Sequence, residues 1–201
     1  MHPISYFQGA ILGALQGVAE PFPISSLGHG VVLPRLLGWD IHQNDDYFLA
    51  FLVATHVATA IVLLLFFLGD WRRIVRGLGR SLRAREIKPD DSDARLGWLL
   101  VVGTIPAGTV GLLLEHPLRN LFASPASAAA FLVVNGFLLL GFERLRKRPP
   151  RPGDYLGDSD ARIARLSWRQ AIGVGTAQAA ALVPGISRSG ITMGGGLVFA
   201  L

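Results

Sequence analysis

Cysteine is absent from the 201 residues, which excludes disulfides and thiolate-held metals. Charge is scarce as well: Asp, Glu, Lys and Arg make up 16% of the chain against 51% hydrophobic residues, and the mean hydropathy is +0.44. A soluble domain of this size needs more polar surface than that to cover its core. The N-terminus lacks the basic segment and small-residue cleavage site of a removable signal, so the first apolar stretch is expected to stay in the mature protein. The charge that is present is mostly basic, with a net value of +5. It crowds beside apolar runs, which makes anionic lipid a better expected partner than nucleic acid.

What the chain has in abundance is long uncharged apolar sequence. Residues 47–69, 96–114 and 123–142 form three such runs, the first interrupted only by His56 and its opening Tyr47. Each is close to the ~20 residues that a helix needs to cross a hydrocarbon core. The intervening segments 69–95 and 143–169 carry eight Lys or Arg each, whereas 38–46 carries none and 115–125 only Arg119. The positive-inside rule therefore predicts that the two basic segments are cytoplasmic loops and the two poor ones face outward. The Pro-, Gly- and Asp-rich stretch 149–160 reads as a flexible linker.

Two further apolar regions, 3–37 and 170–201, are broken in the middle. In the first, Pro21 and Pro23 precede Ser25-Ser26-Leu27-Gly28-His29; in the second, Pro184-Gly185 precede Ser187-Arg188-Ser189-Gly190. Polar backbone at membrane depth is tolerated only inside protein or beside a wet cavity, so both regions are read as re-entrant helical hairpins. The tips resemble each other: aligning Pro23 with Pro184 puts Ser26 opposite Ser187, with Gln16 and Gln178 one position out of step. The first hairpin would start and end outside and the second inside, so the halves are inverted and the tips meet near the midplane. The expected fold is an all-α integral membrane protein built as an inverted repeat, each half a re-entrant hairpin plus three transmembrane helices. Residues 1–142 form the first repeat, 143–169 a cytoplasmic linker and 170–201 the start of a second repeat whose remainder is expected to lie beyond the chain.

The tips describe an anion site. Arg188 offers a planar fork of donors to phosphate oxygens, and Ser187 and Ser189 add hydroxyls where a helix restarts with open N–H groups. Ser26 and His29, three residues apart, point the same way on a helix, and either can attack phosphorus, the serine with a base to take its proton. Ser25 suits the cap of the second arm. Glu20, buried at membrane depth, must pair with Arg188 or hold a divalent cation such as Mg²⁺ or Ca²⁺, and Gln16, four residues earlier on the same face, can add a neutral oxygen. His56 and Asn135 are read as interhelical hydrogen-bonding groups outside the site. Asp45-Asp46 and Asp154, Asp158 and Asp160 are read as solvated loop carboxylates.

Gln16-Gly17-Val18-Ala19-Glu20 with the first tip, the second tip Pro184-Gly185-Ile186-Ser187-Arg188-Ser189-Gly190, and GTIPAG at 103–108 together resemble the undecaprenyl-diphosphate phosphatase (bacitracin-resistance) family of bacterial inner-membrane enzymes. The resemblance runs over 3–201. It implies removal of one phosphate from the C55 lipid carrier diphosphate, with catalytic roles for Ser26, His29, Glu20 and Arg188. Substrate contacts would come from Ser25, Gly28, Ser187, Arg188, Ser189 and Gly190, and metal contacts from Glu20 and Gln16. Two positions depart from the familiar pattern: Gln16 stands where a first glutamate is usual, and Leu27 where many members have threonine. An isoprenoid diphosphate, membrane lipids and a second copy of the chain as a homodimer are the partners this reading admits. A lipid-phosphate flippase is the rival, since it needs the arginine and the helix dipoles but no nucleophile.

Overall fold

The computed structural model describes residues 4–41, 45–114, 124–145 and 159–199, and all regular structure among them is helical. Three helices are long and apolar enough to cross a membrane: α3 (Asp46–Phe66), α5 (Ser92–Leu113) and α6 (Pro125–Leu145). They match the three expected runs to within a few residues. Helix α5 starts four residues earlier than its apolar run because Asp91 caps it, its side chain accepting from the Ala94 N–H at 3.0 Å. Of the expected poor loops 38–46 and 115–125, residues 42–44 and 115–123 lie outside the described residues, as does most of the linker.

Residues 69–84, expected as part of a basic loop, are helical. Helix α4 (Leu68–Ala84) follows α3 after a single non-helical residue, Phe67. Trp71, Ile74, Val75, Leu78 and Leu82 recur at helical spacing between the arginines, and the face that the helix buries is the line of Ile74, Gly77 and Ser81, while Trp71, Val75 and Leu82 stay exposed beside the arginines. It lies against α5 through two glycines. A methyl group on Gly77 would sit 2.5 Å from the Ala94 backbone nitrogen, and one on Gly97 2.6 Å from Leu78 Cγ, so only hydrogen fits at either crossing. Trp98 Nε1 donates to Ser81 Oγ at 2.9 Å, and Arg80 grips Asp91 through two bonds of 2.8 and 2.9 Å.

The two broken regions fold as short helical pairs. The first is α1 (Tyr6–Ala19) and α2 (Ser26–Leu36). The second is α8 (Trp168–Gln178) with a 3-10 turn (Ala179–Leu182), then α9 (Arg188–Phe199); a short α7 (Ser159–Ile163) precedes it. At 1.5 Å per residue the arms run about 17 to 21 Å, short of a ~30 Å hydrocarbon core. Both first arms open with the same capping box, Ser5 with Gln8 and Ser167 with Gln170.

Helix α6 seats both tips on one face. Residues 128, 131, 132, 135, 139 and 142 fall at steps of one, three and four, the spacing of a single helical stripe. Gly28 of α2 meets Leu132, Gly185 of the second turn meets the Ala128 carbonyl and Phe131, Gly190 meets Leu139, and Gly194 lies under the Phe142 ring. Gly185 also has φ +102, which side-chain-bearing residues rarely adopt. On the other side Leu12, Val31, Phe48, Leu52 and Ala128 form the buried cluster that joins the first hairpin to α3. Lipid tails are as apolar as these side chains, so close packing rather than transfer from water holds such contacts.

Candidate active site

The first tip turns through 20–24 and restarts at α2. Ser25 occupies the left-handed region at φ 66 and caps the new helix, its Oγ accepting from the Gly28 N–H at 3.4 Å. The second tip restarts at Arg188, where Ser187 Oγ accepts from the Gly190 N–H at 3.2 Å. The first N–H groups of a helix have no intrahelical acceptor. With Gly190 taken by the cap, those of Arg188 and Ser189 have no partner among the described residues and remain as donors at the positive end of α9.

The two tips and α3 enclose a cavity of about 380 Å³. Glu20, Ser25, Ser26, Ser187, Arg188 and Ser189 give it polar walls, and Leu49, Val53 and Val57 of α3 give it an apolar one. At the centre, Ser26 Oγ donates to Glu20 Oε2 at 2.5 Å, and Gln16 Nε2 donates to the same oxygen at 3.1 Å. The other carboxylate oxygen lies 3.7 Å from an Arg188 terminal nitrogen. Ser26 and Ser187 are almost fully buried, whereas the Arg188 side chain is 62% exposed and free to reach an incoming anion. Ser187 and Ser189 share a hydrogen bond of 2.9 Å, and Ser189 Oγ also reaches the Phe22 carbonyl at 3.5 Å, so the tips touch directly.

Not every expected residue joins this wall. His29 lies one turn beyond Ser26, its Nδ1 against the Ser25 carbonyl at 2.8 Å, and it does not line the cavity. Gln16 is buried behind Glu20 and presents its amide nitrogen to the carboxylate. Gly28 and Gly190 are used for packing: their N–H groups are consumed by the serine caps, and Gly28 packs against Gly185.

Two residues set aside in the sequence belong here. His56 lines the cavity from α3; its Nδ1 meets the Leu52 carbonyl at 2.8 Å, which turns Nε2 to within 3.7 Å of Glu20 Oε2. Thr55 and Thr59, by contrast, donate to carbonyls of their own helix. Asn135 is 3% exposed on α6 and binds both tips: its Nδ2 donates to the Pro23 carbonyl at 3.1 Å, and its Oδ1 accepts from the Ser187 N–H at 3.0 Å. The one sequence signal for either was a lone polar side chain in an apolar span. Of the loop carboxylates, Asp160 is held by Arg73 at 3.0 Å on the polar surface, while Asp154 and Asp158 lie outside the described residues.

A helical membrane protein with three candidate spans and a cavity with one polar and one apolar wall between two broken helices is the class these features define. The chain belongs to the bacitracin resistance protein BacA family, whose model matches residues 9–201. It is 46% identical to an undecaprenyl-diphosphatase of Mycolicibacterium paratuberculosis, an alignment that covers 96% of this chain and 68% of that one. It is 37% identical to undecaprenyl-diphosphatase 1 of Frankia casuarinae, over 98% and 75% of the two chains. An undecaprenyl-diphosphatase of Gluconobacter oxydans is 44% identical over 97% of this chain and 66% of its own.

Proposed function

We propose that this protein hydrolyses undecaprenyl diphosphate to undecaprenyl phosphate and inorganic phosphate in the bacterial inner membrane, recycling the carrier for peptidoglycan synthesis and so conferring bacitracin resistance. The observation that carries the reading is the Ser26 hydroxyl donating to the Glu20 carboxylate at 2.5 Å, opposite Arg188 and the open end of α9. A nucleophile with a base on one tip faces an anion holder on the other, which is the division of labour that phosphoryl transfer needs. A flippase has no use for an activated hydroxyl.

The chemistry follows from those positions. Arg188, Ser189 and the N–H groups of α9 hold the terminal phosphate, while the isoprenoid tail lies along the apolar wall of α3. Ser26 Oγ attacks the terminal phosphorus as its proton passes to Glu20, and the bond to the bridging oxygen breaks to release undecaprenyl phosphate. Water then attacks the phosphoserine, phosphate departs and Ser26 regains a proton. His29, with Nδ1 on the Ser25 carbonyl one turn beyond Ser26 and off the cavity wall, takes no step in this sequence.

The residues fit the divalent cation that the family resemblance implies. Glu20 and, with its amide reversed, Gln16 would hold it; Mg²⁺ commonly takes one or two carboxylates and completes its shell with water and substrate phosphate. Such an ion would neutralise charge on the diphosphate oxygens.

The internal repeat gains support from the caps. Ser167 follows Ser5 by 162 residues, as Gln178 follows Gln16, whereas Pro184 follows Pro23 by 161. One residue fewer in the second turn accounts for the mismatch between the two glutamines. The reading is tested by phosphate release from undecaprenyl diphosphate by the full-length protein in detergent. No release above a Ser26→Ala control would overturn it.

A further inference from the structure

We infer that Asn135 is a positioning residue, a clamp on α6 that sets the spacing between the nucleophile-bearing tip and the phosphate-holding tip. The inference rests on the hydrolytic reading above and adds to it how the two half-sites are kept in register. Asn135 is the single polar side chain of the α6 stripe that faces the tips, and both ends of its amide are used on backbone. Nδ2 holds the Pro23 carbonyl, three residues before Ser26; Oδ1 holds the Ser187 N–H, next to Arg188. Neither group has a helical partner, because Pro23 lies in the first turn and Ser187 is the cap of α9. In hydrocarbon an unpaired carbonyl or N–H is costly, so each tip is driven onto the same amide.

The clamp has little slack. The two bonds of 3.1 and 3.0 Å meet a side chain with two rotatable bonds, on a helix whose neighbouring residues Leu132 and Leu139 already pack against Gly28 and Gly190. The only direct polar tie between the tips besides the Glu20–Arg188 pair is the longer Ser189–Phe22 contact at 3.5 Å among the described residues. Attack requires the serine oxygen and the held phosphorus to lie about 3 to 3.5 Å apart, and a misplacement of about 1 Å costs on the order of 100-fold. A residue that touches no substrate therefore acts on the rate through geometry alone.

The test uses the full-length protein; residues 1–201 hold no cysteine, and any cysteine outside them is first replaced by serine. Asn135→Leu keeps the size and removes both bonds; Asn135→Asp keeps the acceptor for Ser187 and removes the amide donor to Pro23. In one series, cysteines at positions 22 and 189 report tip spacing through the yield of a short bifunctional cross-link. In a second series without those cysteines, phosphate release gives kcat and KM. Leucine is expected to lower cross-linking several-fold, to cut kcat by 10-fold to 100-fold and to raise KM, with aspartate intermediate. A smaller folded fraction would lower the rate without moving KM. Cross-linking retained in Asn135→Leu overturns the clamp, and so does lost cross-linking with unchanged kinetics. Failure of both variants to accumulate in the membrane also overturns it, since Asn135 would then be a folding requirement. Cross-linking that depends on Asn135 in a protein that releases no phosphate supports the clamp and sinks the hydrolytic reading instead.

Discussion

Glu20→Gln separates the roles gathered on one carboxylate. The replacement keeps size and a hydrogen-bonding group but leaves Ser26 Oγ facing an amide in place of the charged oxygen it meets at 2.5 Å. Removal of a positioned base costs about 10²- to 10⁴-fold in rate, or roughly 2.7 to 5.5 kcal/mol of barrier. Binding should move the other way. Glu20 Oε1 lies 3.7 Å from the Arg188 guanidinium and competes with substrate for it, so KM should stay level or fall. The assay is phosphate release across a substrate titration, repeated at saturating Mg²⁺. A kcat loss that excess Mg²⁺ reverses would assign Glu20 to the ion rather than to the serine proton. Retention of more than a tenth of wild-type kcat would refute the base role altogether. Because Ser26 and Glu20 act as a unit, Ser26→Ala combined with Glu20→Gln should cost little more than Ser26→Ala alone.

Acid quenching with substrate labelled in its terminal phosphate should trap phosphoserine at Ser26, whereas acid-labile label on His29 would reassign the nucleophile. Arg188→Lys should raise KM and lower kcat/KM by about 10-fold or more, because one ammonium cannot reproduce a bidentate contact with phosphate; unchanged kinetics would show that charge alone suffices. His56→Ala should lower kcat/KM by about 10- to 100-fold, the range for groups that orient a reactive ligand, and a wild-type value would return His56 to a purely interhelical role. At the polar end of α5, the hydrogen bond from Arg80 holds the Asp91 carboxyl below its ordinary range, helped by the Ala94 N–H. A depressed native value means stability present above the unfolded value and lost as pH falls through the native one. Thermal unfolding in detergent should therefore show an acid-sensitive share that Asp91→Asn removes while keeping the cap. That share is small, because the Arg80 half of the pair is exposed and screened by water.

Local pattern alone determined a good deal. Three uncharged runs near the length of a membrane crossing specify α3, α5 and α6, because a buried backbone must bond to itself and in a long apolar segment only a helix allows it. Proline followed by serine and glycine specifies the two restarts, because the ring ends one helix and a hydroxyl begins the next. That pattern was enough to single out Glu20, Ser26, Ser187, Arg188 and Ser189, all of which meet at one cavity. Residues 69–84 misled on the weight of their arginines, although the apolar spacing beneath them is helical. Tertiary structure decided the rest. Whether His56 is an interhelical bond or a wall of the site depends on which way α3 is rotated, and hydropathy averages over that rotation. Gly28 and Gly190 carry N–H groups that look available in the sequence, yet the caps consume them and the missing side chains serve close approach to α6. Asn135 lies 112 residues from Pro23 and 52 from Ser187 along the chain, and no local rule connects such positions. Only the packing of α6 between the two turns brings them together, since a contact of that range is set by the fold and not by any neighbour in sequence.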